Sequence, residues 1–402
     1  MQASRLRYGS PRVLTGLEVA CRQNWAFLQD RRVGLVAHPA SVDANLRSTV
    51  DLLADAPGVT LAAIFGPEHG FLGIEQDLIP DRYDQPLWRG IPYHSLYGTT
   101  VESLWPKPEH LRGLEALVID LQDIGSRYYT FQATMLYCME SASDAKLLTV
   151  VLDRPNPLGG DVVEGPMLQP GFESFVGCHP IAIRHGMTIG ELASLYHEER
   201  ELRGELQVIS CEGWRRNMAF EQTGLPWVLP SPNMPTVDTA FVYPGQCLLE
   251  GTQLSEGRGT TRPFEICGAP WIDGQKLADQ LHAARLPGVV FRPLTYRPTF
   301  QKFAGKACGG VQLHVTDRAT FQPVRTSLTL LHAIYGMSKM NFAWRHETYE
   351  FVSDRLAIDL LFGSSRERLA IEAGAEPDDI IPVWIAEEEE FRRRRQKHLL
   401  YS

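Results

Sequence analysis

Between residues 32 and 212, short apolar runs alternate with segments of helical periodicity, and this alternation strongly limits the possible fold. Four runs are almost continuously hydrophobic, at 33–38, 60–65, 116–120 and 147–153. Such runs are typical of strands buried on both faces of a parallel sheet, because crossover helices cover each side of the sheet. The pattern therefore predicts an α/β domain built on a parallel sheet.

Helical patterns separate these strands. They predict helices over 42–54 and 130–142, and a later helix that begins at a capping box formed by Thr188 and Glu191. A further strand is expected at 206–210, after that helix. This order of elements favours an open sheet with helices on both faces.

A proline-rich segment follows the α/β region. Residues 226–244 contain five prolines in nineteen positions, which predicts a break in regular structure and a crossing between domains. Beyond it the sequence predicts a smaller α+β domain, with helices at 273–284 and 327–335 and strands at 288–292 and 310–315. We expect two domains, 1–237 and 238–402.

Length and composition narrow the class of protein. A chain of 402 residues is typical of two domains, and 44% hydrophobic with 22% charged residues excludes disordered and fibrous architectures. No run reaches the roughly 18 apolar residues of a membrane-spanning helix. No secretion signal is recognisable at the start, so we expect a cytoplasmic protein, or a periplasmic or secreted one if its N-terminus was trimmed. The seven cysteines are widely spaced and predict free thiols.

Charge indicates which partners to expect. A net charge of −9 disfavours binding to nucleic acid or to an anionic membrane surface. The basic run 392–395 follows the acidic run 387–390, so the two predict i,i+4 ion pairs on one solvated helix rather than a basic patch. We therefore expect a small-molecule ligand and no nucleic-acid or membrane partner.

Several common motifs are missing from the sequence. The first strand is followed by HPAS and not by GxGxxG, so the phosphate-binding turn of dinucleotide-binding domains is absent. P-loop, HExxH and GxSxG sequences do not occur either. The sequence thus predicts neither a cofactor nor a metal.

Acidic, basic and amide side chains are concentrated where the predicted strands end. The strand ends are followed by His38, by GPEHG at 66–70, by DLQDIGSRYY at 120–129 and by DRPNP at 153–157. Ligands of open parallel sheets bind at the carboxyl ends of the strands. Any one of these residues can equally be a turn former, a cap or an ion-pair partner, but together they predict a site at this edge.

A set of longer motifs resembles a known family. The motifs are FGPEHGF (65–71), DLQDIGSRYYTF (120–131), DRPNPLGG (153–160), VEGP (163–166), RHGMTIGEL (184–192), PSPNMPT (230–236), YPG (243–245) and EGTQLSEGRGTTRPFEICGAPW (250–271). In this order they resemble the NamZ family of exo-β-N-acetylmuramidases, from about residue 30 to the C-terminus. These glycosidases remove N-acetylmuramic acid (MurNAc) from the non-reducing end of peptidoglycan fragments.

The resemblance implies an architecture and a reaction. It implies a Rossmann-like N-terminal domain, a smaller C-terminal domain and an active site in the cleft between them. Many members carry secretion or lipoprotein signals, which are not visible in this sequence. The implied function is release of MurNAc from a small carbohydrate substrate in cell-wall turnover.

Glycoside hydrolysis ordinarily uses two carboxyl groups, one protonated and one ionised. Glu68 fits the acid, since it follows an apolar strand between Pro67 and His69, where partial burial favours the neutral form. The resemblance also makes the glutamate of GPEHG the leading catalytic candidate. Glu164 in VEGP is the second candidate, as base or nucleophile. Asp123 is the alternative candidate for the role of Glu164, although it can equally form an ion pair with Arg127, four residues later.

Other residues are predicted to bind the sugar. His69 and His185 are candidates for hydrogen bonds to a carboxylate or to hydroxyls, and Tyr129, with its neighbour Tyr128, is a candidate for stacking on the pyranose. Glu256 and Arg258 are expected to close the cleft from the second domain. The full set of predicted substrate-binding residues is His69, Arg127, Tyr129, Asp153, Asn156, His185, Glu256 and Arg258.

Arg258 carries the most specific of these predictions. Muramic acid differs from glucosamine by a lactyl ether at O3, whose carboxylate requires a local cation in an acidic protein. Arg258 is flanked by glycines that are expected to let the backbone approach the ligand, and an arginine binds a carboxylate through two parallel hydrogen bonds. Arg127 is the second candidate for this role. The structural alternative is an ion pair, of Arg258 with Glu256 or of Arg127 with Asp123.

Two other functional classes remain compatible with the sequence. One is a metal-dependent hydrolase or amidase of cell-wall fragments, with ligands drawn from His69, Asp120, Asp123 and His185. The other is a muropeptide-binding protein without activity.

Overall fold

A computed structural model describes residues 12–76, 79 and 87–402 of the chain. Residues 1–11, most of the N-terminal segment on which the signal-peptide prediction depended, lie outside this range. Within it the strands are β1 (Arg31–Ala37), β2 (Val59–Gly66), β3 (Leu87–Trp88), β4 (Ile91–Ser95), β5 (Ala116–Asp120), β6 (Leu148–Leu152), β7 (Glu164–Met167), β8 (Ala182–Arg184), β9 (Leu206–Ile209), β10 (Ile266–Ala269), β11 (Val289–Tyr296) and β12 (Cys308–Val315).

The helices alternate with the strands in the first half and dominate the last hundred residues. They are α1 (Gly16–Arg22), α2 (Thr49–Ala54), α3 (Pro108–Leu111), α4 (Phe131–Asp144), α5 (Ile189–Glu199), α6 (Val237–Gln246), α7 (Gly274–Ala283), α8 (Pro323–Met337), α9 (Ala357–Phe362), α10 (Arg366–Ala373) and α11 (Pro377–Arg395). None of the described helices is both long enough and apolar enough to cross a membrane. All seven cysteines are free thiols.

The N-terminal half is built on one sheet, with strand order β3-β4-β2-β1-β5-β6-β9. The six strands from β4 to β9 in this order are parallel, and β3 is antiparallel at the edge. The predicted α/β class is therefore confirmed, and the five predicted strands are β1, β2, β5, β6 and β9.

Burial on both faces explains why these strands read as continuous apolar runs. In β5, Ala116 and Val118 pack into one core with α1 and α2, whereas Leu117 and Ile119 pack into another. The second core also contains residues of α4, α5 and the C-terminal half. Each aliphatic side chain that is fully buried in this way contributes about 1.5–3 kcal/mol, so both faces of the sheet favour apolar residues along the strands.

The helix expected at 42–54 is shorter than predicted. The side chain of Asp43 accepts hydrogen bonds from the backbone N–H groups of Asn45 (2.8 Å) and Arg47 (2.9 Å), which makes this stretch a turn. Ser48 then caps α2 by accepting from Asp51 N at 3.0 Å. Local hydrogen bonding of aspartate outweighs the helical periodicity here.

Regular structure also resumes earlier than expected in the proline-rich segment. Helix α6 begins at Val237, within the predicted linker, and Thr236 caps it by accepting from Thr239 N at 3.2 Å. Pro244 lies inside this helix, and its carbonyl accepts a hydrogen bond from the Tyr128 hydroxyl of the first half. The segment therefore ends in a buried contact between the halves.

The C-terminal half contains a three-stranded antiparallel sheet, β10-β12-β11, as the predicted α+β class requires. Helix α7 starts at its N-cap Asp273, as expected, and packs against this sheet. Helix α8 lies against α6 and α7.

The C-terminal helix does not behave as the solvated helix that its charges predicted. Glu388 and Arg392 form the expected i,i+4 pair at 3.2 Å, but Arg394 pairs with Glu199 of α5 at 2.9 Å. Arg395 is buried and donates to the carbonyls of Gly160 and His185. Helix α11 thus packs on the first half, and its arginines hold it there.

A second buried guanidinium, that of Arg127, also joins the two halves. Arg127 is fully buried, and it donates to the carbonyls of Pro166 (2.7 Å) and Ile181 (2.9 Å) in the first half and of Leu361 and Phe362 (both 2.8 Å) in the second. Burial lowers the pKa of Arg127 to about 10, which leaves it charged at neutral pH. Four carbonyls share one cation at this junction.

We expect Arg127→Met to lower the free energy of unfolding by at least about 3 kcal/mol, because several buried carbonyls lose their donor and each such loss costs about 1–3 kcal/mol. Urea denaturation monitored by tryptophan fluorescence measures this. The matched control is Arg203→Met at an exposed position, which should change stability by less than about 0.5 kcal/mol. A loss below about 1 kcal/mol for Arg127→Met would contradict the role of this contact.

Candidate functional site

A narrow cleft lies where the two halves meet. Of the residues that the structure describes, three carboxylates line it, Glu68, Glu250 and Glu350, together with a group of aromatic rings and a few polar side chains. The other lining residues are His69, Tyr128, Tyr129, Thr130, Val176, Ser231, Asn233, Tyr243, Arg258, Phe264 and Tyr349.

Glu68 lies at the carboxyl end of β2, as the sequence pattern predicted. Its side chain is 5% exposed, and its Oε2 accepts a hydrogen bond from the Thr130 hydroxyl at 2.7 Å. Thr130 is the N-cap residue of α4, but its side chain makes no capping bond and binds Glu68 instead. The carboxyl group is thus oriented by a neutral donor inside a largely enclosed site.

The turn after Glu68 has an uncommon backbone. His69 has φ 71°, a left-handed conformation that is rare for residues other than glycine and often found at functional sites. Its ring Nδ1 lies 2.9 Å from the carbonyl oxygen of Glu75. Asn233 fastens the same loop from the other side by donating to the Gln76 side chain at 2.8 Å. These contacts fix the loop that carries Glu68.

Aromatic rings from both halves form one wall of the cleft. Tyr129 meets Tyr243 edge to face at 5.8 Å, and Tyr243 meets Phe264 at 4.7 Å. The guanidinium of Arg258 lies 4.9 Å from the centre of the Phe264 ring, within cation–π range. Burial raises the pKa of Tyr129 well above its usual value, so its hydroxyl, which faces Ser231, stays a hydrogen-bond donor.

The second half contributes an ordered charge cluster. Arg258 Nη1 lies 2.6 Å from Glu250 Oε1, and the Tyr349 hydroxyl donates to Glu250 Oε2 at 2.7 Å. Glu256 lies behind this pair, 2.9 Å from Lys302 Nζ and 3.6 Å from Arg258 Nη1. Burial acts to raise the pKa of Glu256, but Lys302 and Arg258 outweigh it and lower that pKa. Glu256 is therefore a partner of the two cations and not part of the lining.

The glycines around Arg258 serve packing rather than the expected approach to a ligand. Gly257 and Gly259 have φ of 81° and 78°. A Cβ on Gly257 would lie 2.4 Å from the carbonyl oxygen of Ile266, and one on Gly259 would lie 2.6 Å from that of Phe300. Both glycines are needed because neighbouring backbone lies against them.

Glu164 is not part of the cleft lining. It lies on β7, and its Oε1 accepts from the backbone N–H of Arg325 at 2.9 Å, in the packing between β7 and α8. Burial raises the pKa of Glu164 to about 7. This position does not support the predicted catalytic role, and the shifted pKa reflects burial between elements.

Asp123 and His185 are buried together outside the cleft lining. His185 Nε2 lies 3.3 Å from Asp123 Oδ2, and that oxygen also accepts from Gly125 N at 2.6 Å. His185 Nδ1 accepts from Met187 N at 3.1 Å. The alternative pairing of Asp123 with Arg127 is wrong, because the guanidinium of Arg127 binds the four carbonyls described above.

Asp153 and Asn156 likewise have structural partners. Asp153 accepts from the Thr188 hydroxyl and from Gly190 N, both at 2.8 Å, at the start of α5, and burial raises its pKa to about 7. Asn156 donates to the carbonyl of Met187 at 2.9 Å. Both residues hold loops at the sheet edge and lie outside the lining, as do Arg127 and His185.

The side chains that the sequence offered as possible metal ligands have partners in separate places. Asp120 binds Arg154 through both oxygens, at 2.5 and 2.8 Å, whereas Asp123 lies against His185. In the described ranges, no three His, Cys, Asp or Glu side chains are placed to hold one metal ion.

Several lining residues were not assigned from the sequence. Thr130, Ser231, Asn233, Tyr243, Glu250 and Phe264 lie in the motifs that carry the family resemblance, but their residue types gave no reason to select them. Tyr349 and Glu350 lie outside those motifs, and no sequence signal identified them. Glu350 accepts from the Tyr97 hydroxyl at 3.0 Å, so contacts between the halves bring it to the site.

Comparison with known proteins gives a consistent picture. Residues 33–238 match the family model "Exo-beta-N-acetylmuramidase NamZ, N-terminal", and residues 241–401 match its C-terminal counterpart. The chain is 44% identical over 393 residues to the peptidoglycan beta-N-acetylmuramidase NamZ of Bacillus subtilis (strain 168), covering 97% of this chain and 92% of that protein.

Two crystal structures of DUF1343-family proteins from Bacteroides fragilis NCTC 9343 are also similar. One superposes with a TM-score of 0.86 at 35% identity, covering 97% of this chain and 99% of the other. The second has a TM-score of 0.76 at 28% identity, covering 98% and 99%.

We expect Glu164→Gln to keep most of the turnover and to change how stability depends on pH. Because the folded-state pKa of Glu164, about 7, exceeds its usual value of 4.5, folding favours the protonated form. Wild-type stability therefore falls as pH rises from 4.5 to 7, by at most about 1.4 kcal/mol per pH unit from this group. Urea unfolding at pH 5, 6 and 7 should give a smaller decline for the variant, and parallel curves would contradict this.

Proposed function

This chain belongs to the NamZ family of exo-β-N-acetylmuramidases and is a glycosidase of peptidoglycan, and from this premise we propose how its cleft performs the reaction. The substrate is a fragment with MurNAc at its non-reducing end, and the sugar ring occupies the cleft between the halves. The observation that carries the proposal is the position of Glu68, enclosed in this cleft beside a neutral hydroxyl donor.

Glu68 is the general acid. Its carboxyl group is 5% exposed and belongs to the cleft lining. A carboxyl group in this position can deliver a proton to the departing sugar oxygen. The Thr130 hydroxyl, 2.7 Å from Oε2, sets the rotation of the carboxyl group.

The aromatic wall and the polar lining hold the sugar. Tyr129 and Tyr243 present ring surface, on which a pyranose can pack through its C–H groups. Ser231 and Asn233 offer a hydroxyl and an amide for hydrogen bonds to sugar oxygens. His69 is a further partner, held by the Glu75 carbonyl.

Arg258 binds the lactyl carboxylate that distinguishes MurNAc from N-acetylglucosamine. It is the only Lys or Arg among the described lining residues, in a cleft that also holds three carboxylates. A guanidinium has five N–H donors, so its bond to Glu250 is compatible with a second carboxylate. This anion is therefore expected to bind on the Arg258 side of the cleft.

Incubation with MurNAc-GlcNAc tests the proposal directly. Mass spectrometry should detect free MurNAc and GlcNAc in equal amounts, in the presence of EDTA as well as without it. Binding without turnover would favour a muropeptide-binding protein, and activity abolished by EDTA and restored by zinc or manganese would favour a metal-dependent hydrolase.

We expect Glu68→Gln to bind substrate and to lose about 10²–10⁴-fold in kcat on MurNAc-GlcNAc, since the amide has nearly the same shape but delivers no proton. Aryl muramides with a good leaving group should lose much less, because their leaving oxygen needs little protonation. The measurement compares kcat for the two substrates in both proteins. Equal losses on both would contradict the acid assignment.

Arg258→Ala should change selectivity between sugars. A charged hydrogen bond contributes about 1.5–3 kcal/mol, so kcat/KM for a muramide should fall about 10- to 150-fold further than for the matching N-acetylglucosaminide. The readout is the ratio of kcat/KM for the two aryl glycosides, which cancels any effect on groups common to both. If both substrates fall by the same factor, the lactyl group binds elsewhere.

A further inference from the structure

We propose that Glu250 is the second carboxyl of the reaction and acts as its nucleophile. The proposal rests on the proposed function, because it supplies the partner that a glycosidase with Glu68 as acid requires. Of the three carboxylates in the cleft lining, Glu68 and Glu250 come from different halves of the protein. The two candidates that the sequence offered for this role, Glu164 and Asp123, are not in the lining.

The surroundings of Glu250 suit an oriented carboxylate. Its Oε1 lies 2.6 Å from Arg258 Nη1, and its Oε2 lies 2.7 Å from the Tyr349 hydroxyl. A hydrogen bond between a guanidinium and a carboxylate is charge-assisted and therefore short and strong. Since each oxygen has its own donor, the plane of the carboxylate is fixed before substrate binds, as a catalytic group requires.

The environments of Glu250 and Glu68 differ in the direction that the chemistry needs. Glu68 has a neutral hydroxyl as its partner, whereas Glu250 has an arginine. A glycosidase divides the roles of acid and nucleophile between two carboxyl groups, and these two differ in that only Glu250 has a cation as its partner. The guanidinium holds one Glu250 oxygen in a fixed position, which suits a group that attacks the anomeric carbon.

The backbone around Glu250 adds to this positioning. The residue lies in a short 3-10 helix, Cys247–Gly251, that directly continues α6. The carbonyl of Leu249 in this turn accepts from Lys302 Nζ at 3.0 Å, and Lys302 also binds Glu256. A Cβ on Gly251 would lie 2.6 Å from Ile358 Cα, so the turn packs tightly against α9. Glu250 is therefore carried by rigid structure.

The reaction proceeds in two balanced steps. A Glu250 oxygen attacks the anomeric carbon, the bond from that carbon to the leaving oxygen breaks, and the leaving oxygen takes the proton of Glu68. The aglycone departs as an alcohol and leaves a glycosyl ester on Glu250. In the second step Glu68, now ionised, takes a proton from water, and the water oxygen displaces Glu250. The sum is hydrolysis with retention of the β configuration.

Chemical rescue of Glu250→Ala tests the proposal with an aryl β-muramide that carries a good leaving group. Without added nucleophile we expect kcat/KM to fall at least about 1,000-fold. Azide should restore turnover and give the α-glycosyl azide, because it enters the vacated space opposite the leaving group. Glu68→Ala with azide should give the β-azide, since there the azide displaces Glu250.

Two controls separate this role from general damage to the fold. Glu367→Gln is the matched variant, because Glu367 is also a buried carboxylate of the C-terminal half, 2.6 Å from Arg366 and 2.9 Å from the Trp384 indole, and lies outside the cleft lining. It should keep its turnover. In the wild-type protein, NMR of the first product should show β-MurNAc, a result that needs no variant.

Defined outcomes overturn the proposal. These are near wild-type turnover in folded Glu250→Gln, initial release of α-MurNAc by the wild-type protein, or azide rescue with inversion in Glu350→Ala instead. Each of these results would contradict the role of Glu250 but would still be compatible with muramidase activity of the wild-type protein. Failure of the wild-type protein to release MurNAc at all would instead refute the proposed function.

Discussion

The junction between the two halves depends on a buried cation that donates to carbonyl oxygens. Arg127 has carbonyls from both halves as its acceptors, and Arg395 adds the carbonyls of Gly160 and His185 from the opposite direction. Because such donors must find all their acceptors in one arrangement, the junction specifies a single relative position of the halves. The cleft depends on this position, since its lining is drawn from both sides.

Residue types that suggest catalysis are used for structure at the sheet edge. Asp153 binds the start of α5, Asp123 lies against His185, and Asp120 binds Arg154. These side chains hold the loops after β5 and β6 in place. The loop after β2 carries Glu68 into the cleft. The loops after β5 and β6, which these buried contacts hold in place, support its position.

The sequence predicted the fold class well because the strands are buried on both faces, and short, uninterrupted apolar runs such as 116–120 are typical of strands in that position. It also placed Glu68 at a strand end, which the sheet topology bears out. The start of α2 was misplaced because the Asp43 side chain makes a turn that periodicity does not reveal. In the same way, burial of Glu164 between β7 and α8 depends on tertiary packing.

Apart from Arg258, the residues that the C-terminal half contributes to the site could not be predicted for a related reason. Glu250, Tyr349 and Glu350 meet only when the chain closes on itself, and Tyr349 is 99 residues from its partner Glu250. A sequence pattern reports neighbours along an element, whereas these contacts depend on how separate elements pack. Residues 250–271 were selected as a motif, but nothing in their types distinguished Glu250 from Glu256 as the carboxylate of the cleft.

The charge arrangement behind the cleft bears on how an acidic protein can bind an anionic sugar. Two like charges about 4 Å apart repel by about 4 kcal/mol at an effective dielectric constant of about 20, so a lactyl carboxylate beside uncompensated glutamates would be rejected. Lys302 lies 2.9 Å from Glu256, closer than the 3.6 Å between Arg258 and Glu256. Lys302 therefore carries the larger share in balancing the charge of Glu256, and Arg258 makes its shorter contact with Glu250, at 2.6 Å. In this way each of the two glutamates has a cation within 3 Å.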